Sequence, residues 1–541
     1  MRSARPAPSA GEYDGFVTTG RQYAPPVRPQ HGRGDKRILQ HLPAEAVSHA
    51  LTPRNDLVLE CEVAPGEFTQ AHGPFVHYRR RVSADGTQSI EYRLQLPWFS
   101  WVFGPLVRMS LRRRPAPGHP EGKQPWWAPG DRLDERQVLV LGLLAAASMC
   151  CTFTNTLFTQ TAHKVSDAFD VGGTGQGIAG AIVRVGIVFA LPFAFRADRF
   201  GRRRVIRWLA VAAPVVCALG ALAPNFPILV ATQTIGRPLG LALDLLIAVV
   251  AAEEVPRNSR AYAASVMAMS GGLGGGVCVW LLPLTGVADW GWRIPFAASL
   301  IWLTVAVSLR RHLPETIRFQ TTHARAPRLR TPRLGAMATI AFFSNLFVAP
   351  ASFFQNRYLE EVRGYTNFGV TLFTILTATP AAIGLLVGGA LADRYGRRII
   401  GVAALVFGTL LINSSFAVSG SPMWGAAILG SICVGAAVPA IIVYRTELFP
   451  TASRGRAGGI ITASSLLGGS IGLVAMGQLV DRDFGYAPAL GVLALGQIAV
   501  AAIVLTRLPE SAHRELEELN PEDRSAQQGT GEPTPGAEPV G

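Results

Sequence analysis

Charged residues are scarce in this chain of 541 residues: they form 16% of it, against 49% hydrophobic residues. About a quarter of an ordinary soluble protein is charged, so the composition favours a protein that lies in a lipid bilayer. Lysine is nearly absent, because only Lys36, Lys123 and Lys164 occur. Arginine therefore supplies most of the formal net charge of +14.

Motifs for enzymatic chemistry are missing as well. The six cysteines occur singly or as the adjacent pair Cys150 and Cys151, a spacing that fits neither a zinc site nor a disulfide framework. The sequence has no nucleotide-binding Gly-x-x-x-x-Gly-Lys-Ser/Thr loop and no nucleophile motif. These absences argue against an enzyme, against transport driven by ATP hydrolysis and against a cofactor.

Long apolar runs dominate the chain after residue 137. A membrane-crossing helix needs about twenty mostly apolar residues, and twelve segments meet this requirement in two groups of six. Their predicted limits are 138–160, 175–195, 205–223, 227–251, 261–283, 293–310, 334–355, 367–391, 399–419, 422–444, 457–479 and 486–506. We therefore expect an all-α protein that crosses the cell (inner) membrane many times.

The arginines predict how this protein is oriented. They lie mostly in the N-terminal extension and in short loops between apolar runs, as the positive-inside rule predicts for cytoplasmic segments. No signal peptide precedes the first apolar run. Both termini are thus expected in the cytoplasm, and the basic charge is attributed to membrane topology rather than to nucleic-acid binding.

The same patterns divide the chain into six regions. We predict a disordered leader at 1–56, a small cytoplasmic or interfacial region at 57–136, an N-terminal six-helix bundle at 137–320, a linker at 321–333, a C-terminal six-helix bundle at 334–508 and a cytoplasmic tail at 509–541. In the second region, alternating runs at 57–63, 74–82 and 89–96 predict a small antiparallel sheet. Residues 98–114 combine aromatic and arginine residues, which predicts an interfacial helix on the anionic inner leaflet.

Three motifs recur in both groups of spans, in the same order and at nearly one offset. Asp-Arg-x-Gly-Arg-Arg begins at Asp198 and again at Asp393, 195 residues later. Glu-x-x-Pro-x-x-x-Arg ends at Arg260 and at Arg454, and Leu-Pro-Glu-Thr/Ser occupies 313–316 and 508–511. The two halves are therefore duplicated units, a construction known among transporters.

At these motifs the chain resembles the major facilitator superfamily. Gly-x-x-x-Asp-Arg-x-Gly-Arg-Arg is complete at 389–398, whereas Ala194 replaces its first glycine in the other copy. The second and third motifs look like those of the sugar porters and their organic-solute relatives. The resemblance covers about residues 138–515 and implies two six-helix bundles that rock around a central site.

The charged motifs predict a gate at the cytoplasmic surface. Acidic and basic side chains there can pair between helices, and the resemblance implies that such pairs hold the outward-facing state and break on inward opening. Several pairs are needed, because an exposed pair contributes only about 0–1 kcal/mol. The residues expected in this gate are Asp198, Arg199, Arg202, Glu254, Arg260, Glu315, Asp393, Arg394, Arg397, Glu447, Arg454 and Glu510. An alternative is that the arginines only fix topology.

Ionisable residues inside a membrane span are costly and indicate function. Arg184 lies in the second predicted span, and Arg237 and Asp244 lie seven residues apart in the fourth, about 10 Å along one helix face. By resemblance, Arg237 matches an arginine that the family associates with proton transfer or substrate binding. An excess of positive charge favours an anionic substrate, while Asp244 is a candidate proton site. The alternative is a closed structural pair of Arg237 and Asp244.

Neutral polar residues complete the predicted pathway. Asn155 in the first span and Asn345 in the seventh are candidate lining residues, although helix packing explains Asn155 equally well. His163 has no partnered spacing and is expected to be a loop or strand residue.

These patterns predict a monomeric secondary transporter that takes up a small organic solute with a proton, an anionic metabolite being preferred over a sugar. Its expected partners are the substrate, a proton and membrane lipids, with no nucleic acid. One alternative is efflux of drugs or metabolites by proton antiport. Another, of a different class, is a transporter-like sensor that signals through its N-terminal region.

Overall fold

The computed structural model describes residues 35–94, 96, 98–113, 124–125, 127–129, 131–186, 201–256, 259–314, 331–449 and 454–509. Among the predicted regions, the first 34 residues, most of the linker and the tail from residue 510 lie outside this part of the chain.

Residues 36–112 form a small domain built on an antiparallel sheet. Its strands are β1 (Lys36–His41), β2 (Leu59–Ala64), β3 (Glu67–His72), β4 (Phe75–Val82) and β5 (Thr87–Leu94), and its helices are α1 (Ala44–Ala50) and α2 (Ser100–Arg112). The spatial order is β1-β5-β4-β3-β2. The small sheet predicted from the sequence is confirmed, but it starts at Lys36, so residues 36–56 belong to the folded domain and not to a leader.

A buried ion pair lies in this domain. Arg80 and Glu60 are both fully buried, and Nη2 of Arg80 lies 2.6 Å from Oε2 of Glu60. Arg80 also donates to the carbonyl oxygens of Ala50 and Thr52, at 2.6 and 3.0 Å. Its guanidinium carbon lies 4.1 Å from the centre of the Phe68 ring. The arginine thus joins β4 to β2 and to the segment after α1.

Two groups of helices follow the domain. The first half contains α3 (Glu135–Ala168), α4 (Gly173–Val185), α5 (Arg202–Leu219), α6 (Phe226–Glu254), α7 (Arg260–Trp280), α8 (Arg293–Ala298) and α9 (Leu303–His312). The second half contains α10 (Thr331–Glu361), α11 (Asn367–Ala378), α12 (Ala381–Tyr395), α13 (Arg397–Ser415), α14 (Ser421–Glu447), α15 (Arg454–Asp481) and α16 (Tyr486–Arg507).

Eleven helical segments within the described residues are long and apolar enough to cross a membrane. They coincide with every predicted span except the second, which begins with α4 and continues into residues 187–195, outside the described part. The eighth predicted span is divided into α11 and α12 by a turn at Thr379 and Pro380, because proline has no backbone N–H to continue a helix. The predicted all-α membrane fold with an N-terminal sheet domain is confirmed.

The glycine of the repeated Asp-Arg-x-Gly-Arg-Arg motif has the same backbone geometry in both halves. Gly201 precedes α5 with φ of +92°, and Gly396 precedes α13 with φ of +98°. Residues with a side chain rarely adopt such angles. Glycine is thus required at this turn in each half, and the sequence repeat corresponds to a structural repeat.

The sheet domain is attached to the first half at one membrane surface, which we call the domain face. The backbone N–H of Asp131 donates to Oγ of Ser259, just before α7, at 2.8 Å. Nε of Arg132 donates to the carbonyl of Asp56 in the domain, also at 2.8 Å. The membrane surface on the other side, where α3 ends and α4 begins, is called the opposite face.

Candidate functional site

The backbones of the two halves are in direct contact where α4 crosses α15. A Cβ added to Gly177 would lie 2.3 Å from the carbonyl oxygen of Leu473, and one added to Gly477 would lie 2.3 Å from that of Gly173. No side chain fits in such spaces, so glycines allow these two backbones to touch. Residues beyond this crossing along α4 are therefore placed directly against the second half.

Arg184, in the last turn of α4, lies at this interface. Its Nη1 is 3.0 Å from the position that a Cβ on Gly469 of α15 would occupy. Nδ2 of Asn345 is 3.2 Å from the same position, and it donates to the carbonyl and Oγ of Ser465, both at 2.9 Å. The structure thus brings Arg184 and Asn345, predicted from different halves, to one place.

Arg184 of α4 and Arg237 of α6 both lie within one turn of the place where their two helices cross. A Cβ on Gly186, just after α4, would lie 2.7 Å from the carbonyl oxygen of Thr234, so α4 and α6 cross one turn from Arg237. Within the described residues, no ion pair joins either arginine to an acid, and the buried Nε of Arg237 has no hydrogen-bond partner. The buried Oδ1 of Asn155 also lacks one.

Two cations beside one helix crossing, with no acidic partner among the described residues, make an unfavourable arrangement in a membrane. An anion placed between them would relieve the repulsion and supply the missing acceptors. The arrangement is therefore suited to bind an anion.

Asp244 lies two turns from Arg237 along α6, towards the domain face. It lines a cavity of about 390 Å³ together with residues of α3 and α7, among them Ser148, Thr152, Met267 and Gly271. No ion pair between Asp244 and Arg237 occurs among the residues that the structure describes, in contrast to the closed pair considered from the sequence. Asp244 is half-buried, so its carboxyl group faces the cavity rather than a counter-ion.

The predicted cytoplasmic gate is only partly within the described residues. Asp198, Arg199, Glu315 and Glu510 lie outside them. Five further residues lie in helices, but their side chains are not described: Arg260, Asp393, Arg394, Glu447 and Arg454. Arg202 begins α5 and Arg397 begins α13. The gate as a whole therefore stays a prediction.

Glu254 is the acidic residue of this gate whose side chain is described. It is buried at the end of α6, with Oε2 3.5 Å from Nη2 of Arg136. Nε2 of Gln137 donates to the backbone carbonyl of Glu254 at 3.1 Å. Glu254 thus joins the end of α6 to the start of α3, within one half.

Sequence reasoning missed a set of contacts between the halves at the opposite face. Lys164 and His163 of α3 both contact Oε2 of Glu360 in α10, His163 through its Nε2 at 3.3 Å. Both oxygens of Asp481, at the end of α15, accept hydrogen bonds at 2.7 Å from the backbone N–H groups of Gly173 and Thr174. We call these contacts the opposite-face latch.

His163 was expected in a loop or strand, but it is buried within α3. Asn356 and Arg357 of α10 extend the same contact region. Nδ2 of Asn356 donates to the carbonyl of Gln160 at 2.8 Å, and Nη1 of Arg357 donates to Oε1 of Gln176 at 3.3 Å. A signal was present in the sequence, because Lys164 follows the first predicted span and Glu360 follows the seventh, which places opposite charges at one membrane surface.

Comparison with known proteins agrees with this architecture. A sequence model described as Major Facilitator Superfamily matches residues 143–379 and 338–531. The shikimate transporter of Escherichia coli is 26% identical over 52% of this chain and 68% of its own length. The cis,cis-muconate transport protein of Acinetobacter baylyi is 26% identical over 63% of this chain and 86% of its own. The citrate-proton symporter of Klebsiella pneumoniae is 29% identical over 32% of this chain and 42% of its own.

Solved structures show the same fold at lower sequence identity. The inward open conformation of the xylose transporter XylE from E. coli superposes with a TM-score of 0.59 at 16% identity, over 71% of this chain and 99% of that one. A bacterial homolog of the human lysosomal transporter Spinster, in an inward-facing and occupied conformation, superposes with a TM-score of 0.58 at 16% identity, over 69% and 97%.

Proposed function

The chain belongs to the Major Facilitator Superfamily, and we propose that it carries a small organic anion across the cell membrane together with a proton, by alternating access. Solute transport follows from the family; the anionic substrate and the coupled proton are the parts proposed. The observation that carries the proposal is the pair of arginines, Arg184 and Arg237, beside the crossing of α4 and α6 and without an acidic partner among the described residues.

Both halves contribute to the proposed anion site. Arg184 and Arg237 would attract and orient a carboxylate by charge-assisted hydrogen bonds, for which the guanidinium group has the matching geometry. Asn345 of α10 lies beside Arg184 and would contact the substrate from the second half. Asn155 of α3 has a buried, unpaired amide oxygen that can accept a hydrogen bond from a hydroxyl group of the substrate.

The relatives support a carboxylate. Shikimate, muconate and citrate, named for three of them, are all organic acids. Their identity to this chain is below 30%, so they support the chemical class and leave the compound open. A neutral sugar would leave the two arginines without a counter-charge, which favours an organic anion over a sugar.

Asp244 is the proposed proton site. Its carboxyl group lines the cavity near the domain face, and no basic partner fixes its charge among the described residues. It can therefore bind and release a proton as the site opens to alternate sides. Because Asp244 is about 10 Å from Arg237 along the helix, bound substrate and proton influence each other electrostatically without sharing ligands.

We propose that the domain face is cytoplasmic, as the arginine distribution predicts. The opposite-face latch then closes the extracellular side, and the conformation described here is an inward-facing one. In this orientation both termini lie in the cytoplasm.

The test is uptake into proteoliposomes, with shikimate, cis,cis-muconate and citrate as carboxylates and xylose as a neutral control. We expect carboxylate uptake that increases when the outside is made acidic, and no xylose uptake. Arg237→Gln should raise KM about 10- to 100-fold, the effect of a lost hydrogen bond between charged groups, whereas Arg237→Lys should retain part of the affinity. Asp244→Asn should retain exchange of substrate but lose acceleration by acid.

Other outcomes would redirect the assignment. Equal uptake of xylose and carboxylates, unchanged in Arg237→Gln, would reject the anion site. Acid-stimulated uptake that persists in Asp244→Asn would reject Asp244 as the proton site. Accumulation only in vesicles of inverted orientation would indicate efflux by antiport.

A further inference from the structure

Helix α2 of the sheet domain has two distinct sides. Gly104, Val107 and Leu111 are buried, and the latter two belong to the core of the sheet. The exposed residues lie on the other side. Because they are spaced three or four positions apart, with one adjacent pair, they form one row along the helix. This exposed stripe consists of Trp101, Pro105, Arg108, Met109 and Arg112.

Hydrogen bonds from the sheet domain fix the orientation of α2. Arg54, which is buried and paired with Asp56, donates from Nη1 to the carbonyl of Leu111 at 2.7 Å and from Nη2 to that of Ser110 at 3.0 Å. The last carbonyls of α2 are therefore satisfied by the domain itself. Helix α2 cannot turn its exposed stripe inward without breaking these bonds.

The position of α2 beside the membrane bundle determines what the stripe meets. Phe99, which precedes α2, and Phe103 within it line one apolar pocket together with Leu141 and Ala145 of α3 and Val266 of α7. The first membrane-spanning segment begins at Glu135, so Leu141 and Ala145 lie about 9 and 15 Å along it. Helix α2 thus lies next to apolar turns of a helix that is long and apolar enough to span a membrane.

The composition of the stripe suits the headgroup region of a bilayer. The side chain of Trp101 is 71% exposed, although tryptophan on a soluble surface is usually covered; at a membrane surface its amphipathic ring is favourable. From Trp98 to Arg113 there is no acidic residue, while Arg108, Arg112 and Arg113 are exposed. Nζ of Lys36 is near the helix as well, 3.5 Å from the position of a Cβ on Gly104.

We propose that the exposed stripe of α2 binds anionic lipid headgroups of the leaflet at the domain face, with Trp101 inserted among them. The arginines contact the phosphates, and the aromatic ring lies at the boundary with the acyl chains. This interaction holds the sheet domain against the bilayer beside α3 and α7. It is independent of the substrate and of proton coupling.

The full-length protein allows a direct test in vesicles of phosphatidylcholine and phosphatidylglycerol. In a Cys61→Ser background, which removes the exposed cysteine, Met109→Cys carries an environment-sensitive fluorophore. Leu39→Cys is the matched control, because Leu39 is 59% exposed on β1, away from the stripe. Spin-labelled phosphatidylglycerol and spin-labelled phosphatidylcholine serve as quenchers, and iodide reports exposure to water.

We expect quenching at position 109 by both lipids and stronger quenching by the anionic one, with little quenching by iodide; position 39 should show the reverse. Arg108→Gln and Arg112→Gln should each reduce the preference for the anionic lipid by up to about fivefold, since one basic residue near an anionic surface contributes about 1 kcal/mol. Equal access of iodide to positions 109 and 39 would overturn the proposal. So would equal quenching by the two lipids that the arginine variants leave unchanged.

Discussion

Lys164 near the end of α3 and Glu360 near the end of α10 form an ion pair that joins the two halves at the opposite face. Glu360 is also contacted by His163, so one carboxylate of the second half holds two side chains of the first. Because the two halves must separate at this face when the site opens towards it, the pair stabilises one of the two transport conformations and not the other.

Removal of the charge of Glu360 should therefore shift the conformational equilibrium. We expect Glu360→Gln to increase the population that is open at the opposite face by about tenfold, because charge-assisted hydrogen bonds contribute about 1.5–3 kcal/mol. Spin labels at the exposed positions 167 and 482, one in each half, would report this as a longer distance.

The exchanged pair, Lys164→Glu with Glu360→Lys, is the control and should restore the short distance. If Glu360→Gln has the same distance distribution as the wild type, the ion pair does not contribute to closure.

Glycine at the crossing of α4 and α15 should be equally important for closure. A Cβ at position 177 would lie 2.3 Å from the carbonyl oxygen of Leu473, so Gly177→Ala must push the two helices apart. We expect slower transport and a longer distance between the labels at the opposite face. Gly276→Ala in α7 is the matched control, since no atom lies within 4 Å of its Cβ, and it should resemble the wild type.

Gly469 provides a test of the anion site that leaves its charged residues in place. A Cβ there would lie 3.0 Å from Nη1 of Arg184 and 3.2 Å from Nδ2 of Asn345, closer than ordinary contact, so Gly469→Ala should displace both groups by a few tenths of an ångström. We expect KM for the substrate to rise severalfold while the protein remains folded.

In Gly459→Ala, on the same helix, the new methyl group meets no atom within 4 Å, and KM should not change. A normal KM in Gly469→Ala would mean that Arg184 does not contact the substrate.

The sequence predicted those features that depend on local composition or on repetition. Within the described residues each apolar run is helical over most of its length, and the repeated motifs identified the duplication. Both succeed because span length and backbone geometry at Gly201 and Gly396 are local properties. Arg184 and Arg237 were predicted inside the second and fourth spans, and in the structure both lie within one turn of the crossing of α4 and α6. The position of a residue within a predicted span gives its approximate depth in the membrane, since one residue advances a helix by about 1.5 Å.

Contacts between distant residues were not predictable in the same way. Asp481 caps a helix that begins 308 residues earlier in the chain, and neither the repeat nor any periodicity relates the two positions. Strand β1 was missed for a similar reason: its six residues have a largely polar pattern, and they form a strand because β5 pairs with them about fifty residues later. The direction of the Asp244 side chain likewise depends on its neighbours in α3 and α7.

The buried ion pair of the sheet domain predicts a measurable stability effect. Arg80→Met would leave the carboxylate of Glu60 buried without its partner, which typically costs about 3–5 kcal/mol of unfolding free energy. Replacement of both residues, Arg80→Met with Glu60→Leu, should be less destabilising than the single change. Protease resistance of residues 36–112 in the full-length protein during a thermal ramp measures this, and a single variant as resistant as the wild type would contradict it.

The bonds of Asp131 with Ser259 and of Arg132 with Asp56 have a mechanical consequence. They connect the sheet to the ends of helices in the first half, so a rotation of that half displaces the sheet along an arc over the membrane surface. Points on the sheet that are far from the rotation axis move further than the helices themselves, because displacement in a rigid rotation grows with distance from the axis. A fluorophore on β2 and another on the second half should therefore register each transport cycle as a change in energy transfer, with no label placed inside the membrane.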